Sequence, residues 1–202
     1  MLRRASALLI LGLWLLTASS IAAQPTMRDP SRAPAGSYAL EPRSSSLLIG
    51  IPLMGGLSRY AMRFNTLSGD FTYDPGNWRN TEVEIAVDPR SIVARNSAFS
   101  RAVQGYFEPD KYPVIRFRST SLAADTEGRG QLTGDLTFHG ITRPVVLDVE
   151  FKGVGADPTG ASARMVFSGT GRIRRSEFGV TAARLFADDQ IDLIFDVEFV
   201  RK

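Results

Sequence analysis

Ile191-Asp-Leu-Ile-Phe-Asp-Val-Glu-Phe199 sets Ile191, Leu193, Phe195, Val197 and Phe199 on one side of an extended chain, and Asp192, Asp196 and Glu198 with Ile194 on the other. A repeat of two sustained over such a length is a β-strand with one dry face. The pattern recurs upstream. Val145, Leu147, Val149 and Phe151 stand opposite Asp148, Glu150 and Lys152, and Leu132, Leu136 and Phe138 stand opposite Thr133, Asp135 and Thr137. Shorter versions occupy Ser46–Leu53, Gly69–Tyr73, Glu82–Val87, Val114–Arg118 and Met165–Ile173. About eight strands, each wet on one side, predict an antiparallel sheet.

The segments between strands carry turn chemistry. Asp74-Pro-Gly-Asn77, Glu127-Gly-Arg-Gly130 and Asp157-Pro-Thr-Gly160 hold residues suited to a positive φ or to a φ fixed near −65°. His139-Gly-Ile-Thr-Arg-Pro144 joins two alternating strands and reads as another hairpin connection. One segment has helical spacing: Phe99, Ala102, Val103 and Tyr106 stand at i, i+3, i+4 and i+7, after Asn96 and Ser97 as N-caps and before Pro109. A sheet of this many strands must curl or close to protect its edges, so the expected fold is an all-β antiparallel barrel with one short amphipathic helix plugging an end.

The N-terminus reads differently. Arg3 and Arg4 precede an apolar run from Ala5 to Leu16 and then small residues to Ala23, the pattern of a secretory signal peptide over 1–23, cut after Ala22 or Ala23. The apolar run falls short of the roughly 20 residues that span a bilayer. Residues 24–37, with three prolines and no apolar period, read as a flexible tether. The expected location is the periplasm. Loss of Arg3 and Arg4 removes two of 24 basic residues against 21 acidic ones, so the sequence pI of about 9.5 gives no reason to expect nucleic acid as a partner.

Residue counts narrow the chemistry. There is no cysteine, which removes disulfides and thiolate catalysis, and His139 is the only histidine. No Gly-x-Ser-x-Gly elbow is present, no serine partner for His139 is signalled, and the usual metal ligand sets are missing, so neither catalytic nor metal-binding residues are assigned.

Four segments carry a family resemblance. They are Val87-Asp-Pro-Arg-Ser-Ile92, Tyr106-Phe-Glu-Pro-Asp-Lys-Tyr-Pro-Val-Ile-Arg-Phe-Arg-Ser119, Gly134-Asp-Leu-Thr-Phe-His-Gly-Ile-Thr-Arg-Pro144 and Arg175-Ser-Glu-Phe-Gly179. In this order and spacing, between Tyr38 and Phe199, the chain resembles the YceI-like, polyisoprenoid-binding proteins of bacteria. The resemblance implies a lipocalin-like barrel over 38–202 that sequesters or carries a long-chain isoprenoid lipid, without catalysis and with no cofactor beyond a bound isoprenoid or quinone-like lipid. Where the family carries a histidine-containing strand, this chain reads Ile51-Pro-Leu-Met-Gly-Gly-Leu-Ser-Arg-Tyr60, a departure that falls at one barrel mouth.

On that reading the cavity lining is expected from Phe71, Phe99, Phe117, Leu136, Phe138, Phe151, Phe167, Phe195 and Phe199, with Gly134, Gly169 and Gly171 making room on inward faces. His139, Arg174, Arg175 and Arg184 are the candidates for contacting a polar head group, Arg because its fork suits phosphate. A transient contact with a membrane or a membrane redox protein, and a homodimer, are the further partners expected. Two other readings remain open. An isomerase or hydrolase using the same cavity requires an ionisable group projecting inward, and a structural β-sandwich requires a filled interior.

Overall fold

The computed structural model describes residues 28–156, 162–183 and 187–202. The stretch read as a signal peptide, the first residues of that read as a tether, the Asp157–Gly160 sequence read as a turn, and Arg184 lie outside the described residues. Eleven strands are described: β1 (Gly36–Leu40), β2 (Ser46–Leu53), β3 (Ser58–Phe64), β4 (Leu67–Tyr73), β5 (Val83–Val87), β6 (Ile92–Val93), β7 (Ile115–Ala124), β8 (Arg129–Phe138), β9 (Ile141–Ala156), β10 (Ala163–Arg174) and β11 (Gln190–Arg201). One α-helix, α1 (Ser97–Tyr106), lies between β6 and β7.

All described pairings are antiparallel, and the order β1-β4-β5-β7-β8-β9-β10-β11 closes on itself because β11 also pairs with β1. The result is an eight-strand barrel. β11 is shared along its length: Phe199–Arg201 pair with Leu40–Tyr38 of β1, whereas Asp192–Asp196 pair with Gly50–Ser46 of β2. β1 and β2 are thus one barrel edge broken at Glu41–Ser45. The break is sealed by hydrogen bonds rather than left open, since Glu41 N–H donates to the Glu198 carbonyl (2.8 Å) and Glu198 N–H donates to Ser45 Oγ (3.1 Å). Beyond the break, β2, β3 and β6 form a three-strand flap on one end of the barrel.

The flap is pinned to the wall. Arg59 of β3 reaches across β2 to Asp192 of β11, Nη2 to Oδ2 at 2.8 Å, and Arg172 of β10 meets the other oxygen at 3.2 Å. The crossing runs over Gly50, where a Cβ would lie 2.9 Å from the Arg59 stem. A side chain at position 50 would therefore displace the bridge.

Helix α1 begins where expected, with Asn96 Oδ1 accepting from Phe99 N–H at 2.9 Å. Its buried face, however, is not the expected Phe99, Ala102, Val103 and Tyr106 stripe. Ser100, Val103 and the following Phe107 are buried, while Phe99, Ala102 and Tyr106 are exposed. The rotation has a polar cause. Ser100 Oγ accepts from Ala94 N–H and donates to the Asn96 carbonyl, and the Gln104 amide donates to the Arg90 and Ile92 carbonyls. These bonds satisfy backbone groups next to β6, fixing which side of the helix faces the barrel.

The chain before β1 is also packed. Pro30–Arg32 form a 3-10 turn capped by Asp29, Pro30 and Ala33 are buried, and the Tyr73 and Tyr38 hydroxyls donate to the Pro30 and Pro34 carbonyls. From Asp29 onward the segment read as a tether is therefore a strap laid over one barrel end. Two phenols removed from water need acceptors, and the proline carbonyls supply them.

Candidate ligand-binding cavity

The barrel encloses a cavity of about 250 Å³. It runs from Pro30, Trp78 and Gly128 at the strapped end to Phe107, Ile173 and Ile191 at the flap end. Each end is walled by rings. At the strapped end Phe71, Phe167 and Phe199 lie 4.8 to 6.2 Å apart, with Phe151 5.3 Å from Phe167. At the flap end Phe107 lies 6.1 Å from Phe64 and 5.3 Å from Phe138, which lies 5.6 Å from Phe178. Between the clusters the lining is aliphatic: Ile85, Leu132, Leu147 and Leu193 point inward yet are only partly buried. An inward side chain that keeps accessible surface borders unfilled space, not a packed core.

Eight of the nine residues expected to line a cavity do so: Phe71, Phe117, Leu136, Phe138, Phe151, Phe167, Phe195 and Phe199. Phe99 does not. It lies on the exposed side of α1 against Tyr60, with ring centroids 4.7 Å apart, because the helix is turned by its polar contacts. The glycines expected to make room do so for neighbouring side chains. A Cβ at Gly134 or Gly169 would collide with the rings of Phe117 and Phe195, and at Gly171 with Leu147. Each glycine lets one of those cavity-lining side chains lie flat against the barrel wall.

The head-group candidates lie elsewhere. His139 and Gly140, with φ of +52° and +75°, form the two-residue hairpin between Phe138 and Ile141. Two positive φ values are what such a hairpin requires. The imidazole packs 4.5 Å from Tyr112, its Nε2 lies 3.4 Å from Glu108 Oε1, and it does not border the cavity. Arg175 is buried, but its guanidinium donates to the carbonyls of Val180, Ala182, Ala187 and Asp188, so it is occupied in holding the loop before β11. Arg174 is exposed on the outside. The geometry gives neither Arg174, Arg175 nor His139 access to the interior.

Two cavity residues carry no signal of their own in the sequence. Trp78 and Thr81 come from the β4–β5 connection and close the strapped end alongside Tyr73. Thr81 Oγ1 is buried with no hydrogen-bond partner. Tyr73 already donates to Pro30, and burial, with smaller contributions from Tyr38, Asp29 and Asp74, pushes its hydroxyl up to about 12. Among the described residues, no Asp, Glu, Lys, Arg or His borders the cavity. What this arrangement can do chemically is take apolar matter out of water and offer it one hydroxyl.

Comparison with known proteins agrees with this architecture. Residues 38–199 match the family model for a YceI-like domain. A protein of Vibrio cholerae named as a UPF0312 protein is 31% identical over 189 residues, covering 92% of this chain and 98% of its own. The crystal structure of a Campylobacter jejuni YceI protein superposes with a TM-score of 0.64 at 26% identity, over 72% of this chain and 87% of its own. A polyisoprenoid-binding domain from Saccharophagus degradans shares the fold, with a TM-score of 0.61 at 13% identity over 82% of this chain and 98% of its own. With its closed eight-strand barrel, the one α-helix among its described residues and a family match across nearly every described strand, the chain belongs to the YceI-like family.

Proposed function

We propose that this chain is an exported, non-enzymatic binding protein that holds a polyisoprenoid or a related long-chain amphiphilic lipid inside its barrel. The observation that carries the reading is an unfilled interior whose described lining has no charged side chain. Burying each methylene there contributes about 0.8 kcal/mol, a driving force that needs no polar recognition motif, although ordering the tail offsets much of it. The shared fold of the polyisoprenoid-binding domain from Saccharophagus degradans supports the ligand class. The N-terminal pattern supports export to the periplasm.

The enzymatic alternative needs an acid, base or nucleophile beside the guest. The candidate the sequence offers, His139, lies in the β8–β9 turn against Tyr112 and does not border the cavity. The decisive experiment is gentle-ionisation mass spectrometry of protein purified from its own host. A co-purified prenyl lipid released intact on denaturation is the expected result. Protein that is empty and also takes up no prenyl lipid when offered one would overturn the proposal, and a guest returned chemically altered would favour the enzyme.

A further inference from the structure

The β2–β3 hairpin ends in Met54-Gly-Gly-Leu57. Met54 and Leu57 are 75% and 84% exposed, the highest values among the exposed large apolar side chains. Nothing lies within 4 Å of the Cβ positions at Gly55 or Gly56, so the tip stands clear of the barrel. The elements beside it are apolar on the outside too. Val93 of β6, and Phe99 and Tyr106 of α1, are exposed. Contacts join these elements: Phe99 packs on Tyr60 of β3, Arg95 N–H donates to the Tyr60 hydroxyl at 3.0 Å, and Arg63 pairs with Val93 across β3–β6.

Charge on the same elements has one sign. There is no Asp or Glu from Pro42 to Gly69 or from Pro89 to Phe107, whereas Arg43, Arg59, Arg63, Arg90, Arg95 and Arg101 fall within these stretches. Arg59 and Arg90 are taken by Asp192 and Asp110. Arg63, Arg95 and Arg101 are exposed and have no ion pair among the described residues. Asp188, whose N–H donates to the Pro52 carbonyl of the hairpin, has its carboxylate turned to Gln190 N–H.

Exposed apolar side chains on elements that also carry unpaired arginines and aromatic groups are suited to one environment above others, the boundary between anionic phosphates and acyl chains. Apolar tips gain by leaving water there, and guanidinium forks pair with phosphate oxygens. A second copy of this chain is a poor occupant, because a two-fold contact through this face sets like charges against each other. We propose that the Met54–Leu57 tip, with Arg63, Arg95 and Arg101, docks the protein on an anionic phospholipid surface. Docked this way, the cavity end lined by Phe107, Ile173 and Ile191 is the end nearer the bilayer. The meaning of docking for lipid carriage rests on the function proposed above, while docking itself does not.

The test is flotation with vesicles of phosphatidylcholine alone or mixed with phosphatidylglycerol, using protein from an exporting host whose N-terminus is read by intact mass. The readout is the difference between variants, since an apolar N-terminal run would act equally in all of them. The protein is expected to float with the anionic vesicles and to release as salt rises. Each neutralised arginine should weaken binding about fivefold, so the combined Arg63→Gln, Arg95→Gln and Arg101→Gln variant loses about a hundredfold. Met54→Ser with Leu57→Ser should lose about tenfold or more.

Uptake of a fluorescent prenyl alcohol in solution, measured in parallel, should be unchanged by either set, because none of these side chains borders the cavity. Prenyl uptake without flotation overturns docking and leaves the cavity reading intact; flotation without uptake does the reverse. Equal binding to both vesicle types, or loss of a dimer rather than of flotation in the variants, also overturns the proposal. Unchanged thermal melting confirms that the variants are folded.

Discussion

Filling the cavity from within is the most direct perturbation of the proposed function. A cavity of about 150 Å³ lined by aliphatic and aromatic side chains admits a six-carbon ring, which sets a scale of about 25 Å³ per carbon. On that scale the 250 Å³ here hold about ten carbons. Leu132 borders the middle of the cavity, opposite Leu122 and Leu147 on the neighbouring strands. Leu132→Trp adds six heavy atoms, occupying about 150 Å³ on the same scale and leaving room for about four carbons. Six methylene equivalents excluded at about 0.8 kcal/mol each is about 5 kcal/mol of gross driving force. If half is recovered because less tail must be ordered, about 2 to 3 kcal/mol remains, a weakening of about a hundredfold. The assay is a fluorescence titration with prenyl alcohols of increasing length, alongside a thermal melt. Overpacking costs of about 1 to 3 kcal/mol apply to filled cores, and here the ring enters space already open, so the variant should melt near the parent. A folded Leu132→Trp protein that binds every tail as tightly as the parent would refute the cavity as the site.

Three further outcomes are expected. Asp192→Ala removes the partner shared by Arg59 and Arg172 and should destabilise the protein by about 1 to 2 kcal/mol, short of a fully buried pair because both arginines reach solvent; chemical denaturation measures it. Tyr73 gives a pH signature. Its folded-state value of about 12 lies above the unfolded value near 10, so the unfolded chain loses the proton first and the stability present below pH 10 falls away between pH 10 and 12. Tyr73→Phe should flatten that slope while costing about 1 kcal/mol at neutral pH for the lost bond to Pro30, and melts across the alkaline range report both. His139→Ala places a β-carbon residue less tolerant of φ +52° in the hairpin and removes the Tyr112 contact, so stability should fall by about 1 to 2 kcal/mol with prenyl capture unchanged; His139→Asn, which tolerates positive φ, should recover part of the loss.

Which parts of this structure the sequence revealed follows from where its signals are local. Alternation along Ile191–Phe199 and Val145–Phe151 reports one residue's environment at a time, and it identified both strands and their inward residues. The turn after Phe138 was legible but its length was not: His139–Pro144 reads as the connection, whereas only His139 and Gly140 turn and Ile141–Pro144 already pair with β8, a register set by the neighbouring strand. β1 was hidden because Gly36–Leu40 is short and follows a proline-rich stretch, and its kinship with β2 is a property of β11, which pairs with both. The helix face was misread for a related reason. Apolar spacing favoured Phe99 and Tyr106, but the docking is decided by Ser100 and Gln104 hydrogen-bonding to backbone groups of other segments. Thr81 and Trp78 reach the cavity only because the β4–β5 connection folds over its end, and Arg175 is occupied only because the chain returns to surround it.

The cavity and its two ends bear on tail length. About ten carbons correspond to two isoprene units, so a longer tail needs side chains to move or an end of the barrel to give way. The ends resist differently. The strapped end is closed by Pro30 against Gly128 and Phe151 and is held by two phenol-to-carbonyl bonds, one of them buried, with Tyr38 stacked on Phe71 at 5.3 Å. At the flap end, β6 pairs through only Ile92 and Val93, α1 keeps just Ser100 and Val103 buried, and the flap is tied to the barrel by the Asp192 bridge as well as by its strand pairing. Fewer buried contacts mean a lower free energy of local opening, so added tail length is accommodated more readily at the flap. Longer prenyl alcohols should therefore raise hydrogen exchange in β6 and α1 while β1 and the Pro30 strap stay protected, and added exchange confined to the strap would reverse the assignment of the ends.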